Sequence, residues 1–217
     1  MRVLVTGANG FIGRHVVAAL LGKGLGVVAA SRRPDETRRR FPAAQSIDCD
    51  FRSDTTSSAW LSRLVGIDAV VNCVGILEGR DSKSVHADAP AALFSACEIA
   101  GARRVIHLSA ISADDAADTD YARTKLASER ALEATRLDWV ILRPSLVYGE
   151  GSYGGSSLLR GLAGLPCAIP LPGKGDQVFS PIHVEDLAKT VSLLLAKPHI
   201  ARVALAPVGP ETITFGS

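Results

Sequence analysis

Tyr121 and Lys125 stand four residues apart, which on a helix places a phenol and an ammonium on one face, a turn from each other. An ammonium so placed stabilises a phenolate and can draw a group that ordinarily ionises near pH ~10 toward the working pH. A second cluster opens the chain: Thr6-Gly7-Ala8-Asn9-Gly10-Phe11-Ile12-Gly13. Glycine at 7 permits a tight turn, glycine at 10 lets a pyrophosphate approach the backbone, and glycine at 13 lets a helix pack on a strand. The helix start beyond it offers unpaired N–H groups and a partial positive charge to phosphates. Either pattern alone also arises by accident of composition, so the elements that would position them decide what they mean.

Short apolar runs alternate with helix-patterned segments, as in a parallel sheet with helices on both faces. The pattern predicts strands at Val3–Thr6, Val27–Ala30, Ala44–Cys49, Ala69–Cys73, Arg104–Leu108 and Trp139–Leu142. Helices are expected from about Phe11 to Lys23, Thr56 to Val65, Asp88 to Gly101 and Tyr121 to Arg136. Asp88 reads as an N-cap, Pro90 as a first-turn residue and Gly101 as the C-terminal stop. The fold class is therefore α/β, a doubly wound Rossmann sheet with a small C-terminal appendage. The glycine cluster falls between the first strand and first helix, and Tyr121 opens the helix after the fifth strand. Residues 1–148 form the dinucleotide-binding core. Residues 149–217 form a Gly- and Pro-rich substrate-binding appendage, with helices near Ser156–Ala163 and Val184–Ala196 and a strand near Val203–Ala206. The appendage partly returns to the core over about residues 178–207.

The 24 basic and 22 acidic residues among 217 leave a net charge of +2, and only 5% of residues are aromatic. Nucleic-acid binding would need more positive charge and stacking rings, so it is excluded as a role. Cys49, Cys73, Cys97 and Cys167 are scattered without a Cys-x-x-Cys and read as buried reduced thiols, with no metal site. No run reaches the ~18 apolar residues of a membrane span. Met1 to Thr6 reads as a strand rather than a leader, so a cytoplasmic location is expected.

The Gly-x-x-Gly-x-x-Gly spacing, with phenylalanine after the second glycine, resembles the extended short-chain dehydrogenase/reductases, a superfamily of nicotinamide-dependent enzymes. The resemblance continues in Asp50-Phe51, in Asn72-Cys73-Val74-Gly75, in Arg143-Pro144 followed by Tyr148-Gly149, and in Phe179 to Asp186. It implies that Tyr121 and Lys125 are the catalytic pair, with Lys125 also holding the nicotinamide ribose. It further implies cofactor contacts from Gly7, Asn9, Gly10, Phe11, Ile12, Gly13, Asp50, Phe51, Cys73, Val74, Gly75, Leu108, Tyr121, Lys125, Pro144 and Ser145. Relatives place a Ser or Thr after the fifth strand to polarise a carbonyl. Ala110 holds that place here, with Ser109 one residue early and Ser112 two late. In this the chain resembles the atypical, complex I accessory-subunit-like branch, and His107 reads as a strand residue without chemistry.

Ser31-Arg32-Arg33 follows the second strand, where an NAD site usually carries a carboxylate. A guanidinium there can bind a 2′-phosphate bidentately, so NADP(H) is favoured over NAD(H). Two functions fit. The first is an NADP(H)-dependent oxidoreductase or epimerase acting on a carbonyl or hydroxyl small molecule, with Ser109 or Ser112 polarising the substrate. The second is a non-catalytic NADP(H)-binding sensor or assembly protein, which accounts for Ala110 but not for keeping both Tyr121 and Lys125. Leu126, Arg130 and Glu133 share a face of the Tyr-Lys helix, and either a homodimer contact or an ordinary amphipathic face explains them.

Overall fold

In the computed structural model, which describes residues 1–77, 79–114, 116, 119–151, 176 and 178–214, apolar runs buried on both sides build the centre of one parallel sheet. Its strands are β1 (Arg2–Thr6), β2 (Gly26–Ser31), β3 (Gln45–Asp48), β4 (Ala69–Asn72), β5 (Arg104–Leu108), β6 (Asp138–Leu142) and β10 (Val203–Leu205), in the order β10-β6-β5-β4-β1-β2-β3. Short pairs β7 (Val147–Tyr148) with β9 (Ile182–His183) and β8 (Val178–Phe179) with β11 (Ile213–Thr214) lie outside it. The order reverses between β1 and β4, and such a switch point opens a crevice at the strands' carboxyl ends.

The helices are α1 (Phe11–Gly22), α2 (Pro34–Arg40), α3 (Ser58–Leu61), α4 (Ala89–Ala100), α5 (Asp120–Glu133) and α6 (Val184–Leu195). Alternation along the strands sorts side chains onto two faces. Leu4, Val70, Val105 and Ile141 join Leu93, Phe94 and Leu132 of α4 and α5 in one core. Val3, Val5, Val71 and Ile106 join Val16, Val17, Leu187 and Val191 of α1 and α6 in the other. Buried Arg104 donates from its Nη2 to the carbonyl of Leu194 at 2.7 Å, setting a cation on the C-terminal end of α6 and tying that helix to the sheet.

The helix expected at Thr56–Val65 is a short α-helix continued by a 3-10 turn at Ser62–Leu64, the Tyr-Lys helix ends at Glu133 rather than Arg136, and two helix starts near the crevice also differ from the sequence expectation. Asp88 does not cap α4: a π-helical turn, Ser84–Asp88, runs into the helix, so the backbone at Asp88 is already helical (φ −69°, ψ −49°). Its carboxylate pairs instead with Lys83 at 2.9 Å. The Tyr-Lys helix begins at Asp120, because the side chain of Thr119 accepts from the Ala122 N–H and caps it. The expected helix at 156–163 lies outside the described residues. Gly101 ends α4 in the left-handed conformation (φ 79°), as its residue type predicts. Among the described residues no helix is long and apolar enough to cross a membrane.

Candidate active site and family

The glycine loop closes on itself. Gly7 sits at φ +70°, where a side chain is strained, and an added Cβ would also stand 3.0 Å from the Cys73 carbonyl oxygen. A Cβ at Gly13 would overlap the Gly7 carbonyl, so helix and loop approach as closely as backbones can. Gly10 precedes α1 and has no side chain to cap it, in keeping with a phosphate-facing helix start. Phe11 is buried at the head of α1, and Ile12 packs against the core on that side.

Asn9 spans from this loop to the turn after β2, its Nδ2 donating to Ser31 Oγ at 3.4 Å and to the Arg33 carbonyl at 3.3 Å. Its Oδ1 is buried with no hydrogen-bond partner among the described residues. Ser31 Oγ also meets Thr37 Oγ1 at 2.7 Å and accepts from the Arg33 N–H. The two arginines of the turn part company. The Arg33 guanidinium bonds Glu36 at 3.1 Å, whereas exposed Arg32 has no ion-pair partner among the described residues. Asp50 is held by Arg52 through both carboxylate oxygens, and that hydrogen bonding keeps its carboxyl below the usual range. The Phe51 ring is turned into the core against Trp60, 5.2 Å between centroids, so its backbone rather than its ring is what a ligand could reach.

Across the switch point, register sets three polar residues side by side: Thr6 opposite Asn72, and Asn72 opposite His107. Asn72 Oδ1 accepts from Thr6 Oγ1 at 2.7 Å and from the Val74 N–H at 3.2 Å, which turns its Nδ2 toward His107 Nδ1 at 3.1 Å. The other ring nitrogen then carries the hydrogen and meets Ser128 Oγ of α5 at 2.9 Å. Ser128 donates in turn to the carbonyl of Lys125 at 2.7 Å. His107, read from the sequence as an inert strand residue, thus links the sheet to the helix bearing the Tyr-Lys pair. Burial, with help from Lys125 and His86, holds it neutral, well below the usual histidine range. Spacing alone could not show this, because the three residues are distant in sequence.

Lys125 is buried. Its Nζ donates to the carbonyls of Leu108 at 2.9 Å and Val74 at 3.2 Å, and a Cβ on Gly75 would lie 3.4 Å from it. Burial brings its ammonium down to about 8, opposed by the nearby Cys73 and Glu129. Tyr121 is half-buried, its ring edge-on to His86 with centroids 5.4 Å apart. Burial raises its phenol above the ordinary range, so here the ammonium does not lower it as the sequence suggested: Lys125 is engaged by the two carbonyls.

Ser109 follows Leu108 at the same strand end, and its N–H donates to Leu142 at 2.7 Å; its buried Oγ has no partner among the described residues. Ser112 is exposed on the following turn. Pro144 and Ser145 are buried, with the Ser145 N–H on the carbonyl of Pro207 at 3.2 Å. The Arg143 guanidinium forks onto Glu129, which is buried one turn beyond Lys125. Cys49 and Cys97 are buried and Cys73 partly so, all three as free thiols.

A dinucleotide fits these residues: glycines where a Cβ would collide, an uncapped helix start, a buried Asn9 oxygen without a partner, and an ammonium at the far end of the crevice. The chain is 29% identical to a ceramide reductase of Caulobacter vibrioides, an alignment covering 98% of this chain and 67% of that protein. It is 24% identical to the NADH-ubiquinone oxidoreductase 40 kDa subunit of Neurospora crassa, over 97% of this chain and 56% of the other. A larger uncharacterised protein of Mycobacterium bovis is 28% identical over 99% of this chain, which spans only 22% of its length. Among solved structures, MoeE5 in complex with UDP-glucose and NAD superposes with a TM-score of 0.80 at 26% identity, over 100% of this chain and 79% of that one. Residues 3–204 match the profile of one family, and on that match the chain belongs to the NAD dependent epimerase/dehydratase family.

Proposed function

We propose that the protein is an NADP(H)-dependent oxidoreductase or epimerase acting on a small carbonyl or hydroxyl compound. The observation that carries this reading is Lys125, buried between the strand-end carbonyl of Leu108 and the loop carbonyl of Val74 at the switch-point crevice, one turn from Tyr121. Gly7, Gly10 and Gly13 would admit the pyrophosphate, Asn9 and Asp50-Phe51 the adenosine half, and Cys73, Val74, Gly75, Leu108, Pro144 and Ser145 the nicotinamide half. When bound, the nicotinamide ring supplies or accepts the hydride, while the protein orients the reactants and moves the proton. Tyr121 Oη gives a proton to the carbonyl oxygen in reduction and takes one from the hydroxyl in oxidation. Burial raises the phenol, so it stands protonated, the form that donates in reduction. Lys125 would hold the ribose. Ser109, whose buried hydroxyl has no partner among the described residues, would polarise the substrate in preference to exposed Ser112.

The preference for NADP(H) is supported by Arg32, exposed beside Ser31 and without an ion-pair partner among the described residues, where an NAD site usually carries a carboxylate on the strand's own end; the neighbouring Asp50 is already held by Arg52. Residues 1–148 would hold the cofactor and 149–217 the substrate. The setting would be cytoplasmic, with a homodimer contact along the α5 face of Leu126, Arg130 and Glu133. A second reading, a non-catalytic NADP(H)-binding protein, is favoured by Ala110 and by the small size of the appendage.

Fluorescence titration with NADPH and NADH tests the assignment in wild type and Arg32→Ala. Loss of a charge-assisted phosphate contact is worth about 1.5–3 kcal/mol, so NADPH affinity should fall roughly 10- to 100-fold while NADH is unchanged. Equal loss for both cofactors, or no binding below millimolar, overturns it. Carbonyl substrates turned over by wild type and not by Tyr121→Phe separate the enzyme from the non-catalytic protein.

A further inference from the structure

The Val74 carbonyl on Lys125 belongs to a loop, and a loop carbonyl keeps its aim only if its flanks are tied. Two bonds tie them: the Val74 N–H donates to Asn72 Oδ1 at 3.2 Å, and the Ile76 N–H donates to His86 Nε2 at 2.9 Å. The same imidazole reaches α5. Its Nδ1 lies 3.1 Å from Thr124 Oγ1, the residue before Lys125. Because the Thr124 hydroxyl donates to the Asp120 carbonyl at 2.7 Å, it accepts from His86, which fixes the ring as the neutral Nδ1–H tautomer. His86 is 1% exposed, sits in the π-helical turn and stands edge-on to Tyr121. A Cβ on Gly75 would lie 3.4 Å from Lys125 Nζ and 3.8 Å from His86 Nε2, so loop, ring and ammonium meet at this residue.

We propose that His86 is a positioning residue: by anchoring the loop after β4 to α5 it holds the Val74 carbonyl on Lys125 and so sets how far that ammonium stays charged. The inference deepens the reading of Lys125 as a working ammonium and rests on it. Burial pushes Lys125 toward the neutral amine, and the groups facing it decide how far. Glu129 on its own helix favours the charge, while Cys73 on the β4 loop is a thiol that burial pushes up to about 12 and that stays neutral here. His107, from β5, and His86 are both neutral, and Tyr121 is a protonated phenol. The carbonyls of Val74 and Leu108 are its hydrogen-bond acceptors among the described residues. A side chain at 86 that cannot accept from the Ile76 N–H leaves that part-buried donor without its partner, and the loop shifts to satisfy it.

The test is the titration of Lys125 by NMR on the full chain with ¹³C-labelled lysine, free of dinucleotide, the signal being assigned by its loss in Lys125→Met. The wild-type midpoint should lie at about 8. His86→Leu should lower it by about one pH unit, a tenfold loss of proton affinity. His86→Gln, whose amide can accept from Ile76 and donate to Thr124, should restore it. Should His86→Leu fail to fold, Thr124→Val cuts the ring's tie to α5 and should move the midpoint the same way. An unmoved midpoint in a folded His86→Leu, or in Thr124→Val where that stands in for it, overturns the proposal. So does a His86→Gln midpoint as low as that of His86→Leu. A parallel NADPH titration keeps the readings apart: if the midpoint moves as expected and no dinucleotide binds, the positioning role stands and the functional assignment falls.

Discussion

Arg143→Ala should unsettle the protein far more than loss of an ordinary surface arginine. The guanidinium donates from Nε to both Glu129 oxygens, at 3.1 and 3.0 Å, and from Nη2 to one of them. The Glu129 side chain is 1% exposed and that of Arg143 31%. Removing the guanidinium therefore leaves a carboxylate in the interior without its cation, a change that costs about 3–5 kcal/mol in buried sites. Water can follow the vacated, partly exposed Arg143 side, which puts the expectation near the low end, about 3 kcal/mol. At about 2–4 °C per kcal/mol for a chain of this size, the Tm should drop by roughly 6–12 °C. Arg38→Ala is the internal control, since Arg38 and Asp35 are 63% and 76% exposed and such pairs contribute about 0–1 kcal/mol. Urea unfolding followed by the fluorescence of Trp60 and Trp139 measures both variants. Glu129→Leu combined with Arg143→Met should recover most of the loss, because an apolar pair leaves no charge stranded. If Arg143→Ala is no less stable than Arg38→Ala, the buried-pair reasoning is wrong.

Gly13→Ala should abolish dinucleotide binding and lower stability by about 1–3 kcal/mol, because the methyl has only the Gly7 carbonyl to meet; unaltered NADPH titration curves would contradict this. Lys125 should leave a signature in stability against pH. Its folded value of about 8 lies below the ordinary 10.5, so between those limits the unfolded chain binds more protons and stability rises with pH. Relative to Lys125→Met, wild type should therefore gain on the order of 2–3 kcal/mol from pH 8 to 10.5 in urea unfolding, and a flat difference would show that the ammonium is not desolvated.

Much of the fold was legible because its determinants are local. Short apolar runs such as Val3–Val5 and Ala69–Val71 cannot be half-exposed strands, and glycines at 7 and 13 have only one use between a strand and a helix. Boundaries were less legible where two local signals compete. Asp88 followed by Pro90 has the composition of a helix start, yet the π turn that carries His86 was already helical, and the His86 ring is tied to Ile76 and Thr124, remote in the chain.

The candidate site divides the same way. The residue types at 7, 10, 13, 32, 121 and 125 are properties of the chain, and their spacing was enough to suggest a dinucleotide and a proton-transferring pair. What the chain could not state was protonation. A Tyr-Lys pair a turn apart suggests a lowered phenol, but burial raises Tyr121 and turns Lys125 toward the carbonyls of Val74 and Leu108. Nor could it distinguish Arg32 from Arg33, which are adjacent and identical until Glu36 folds back onto only one of them. His86 and His107 carry no local pattern at all. They become part of the site because parallel register sets Asn72 beside His107 and because α5 packs over both rings. Sequence by itself determined which groups are present and how far apart along a helix they stand. Desolvation and hydrogen-bond partners, which depend on residues remote in the chain, were decided only when the sheet and helices closed around them.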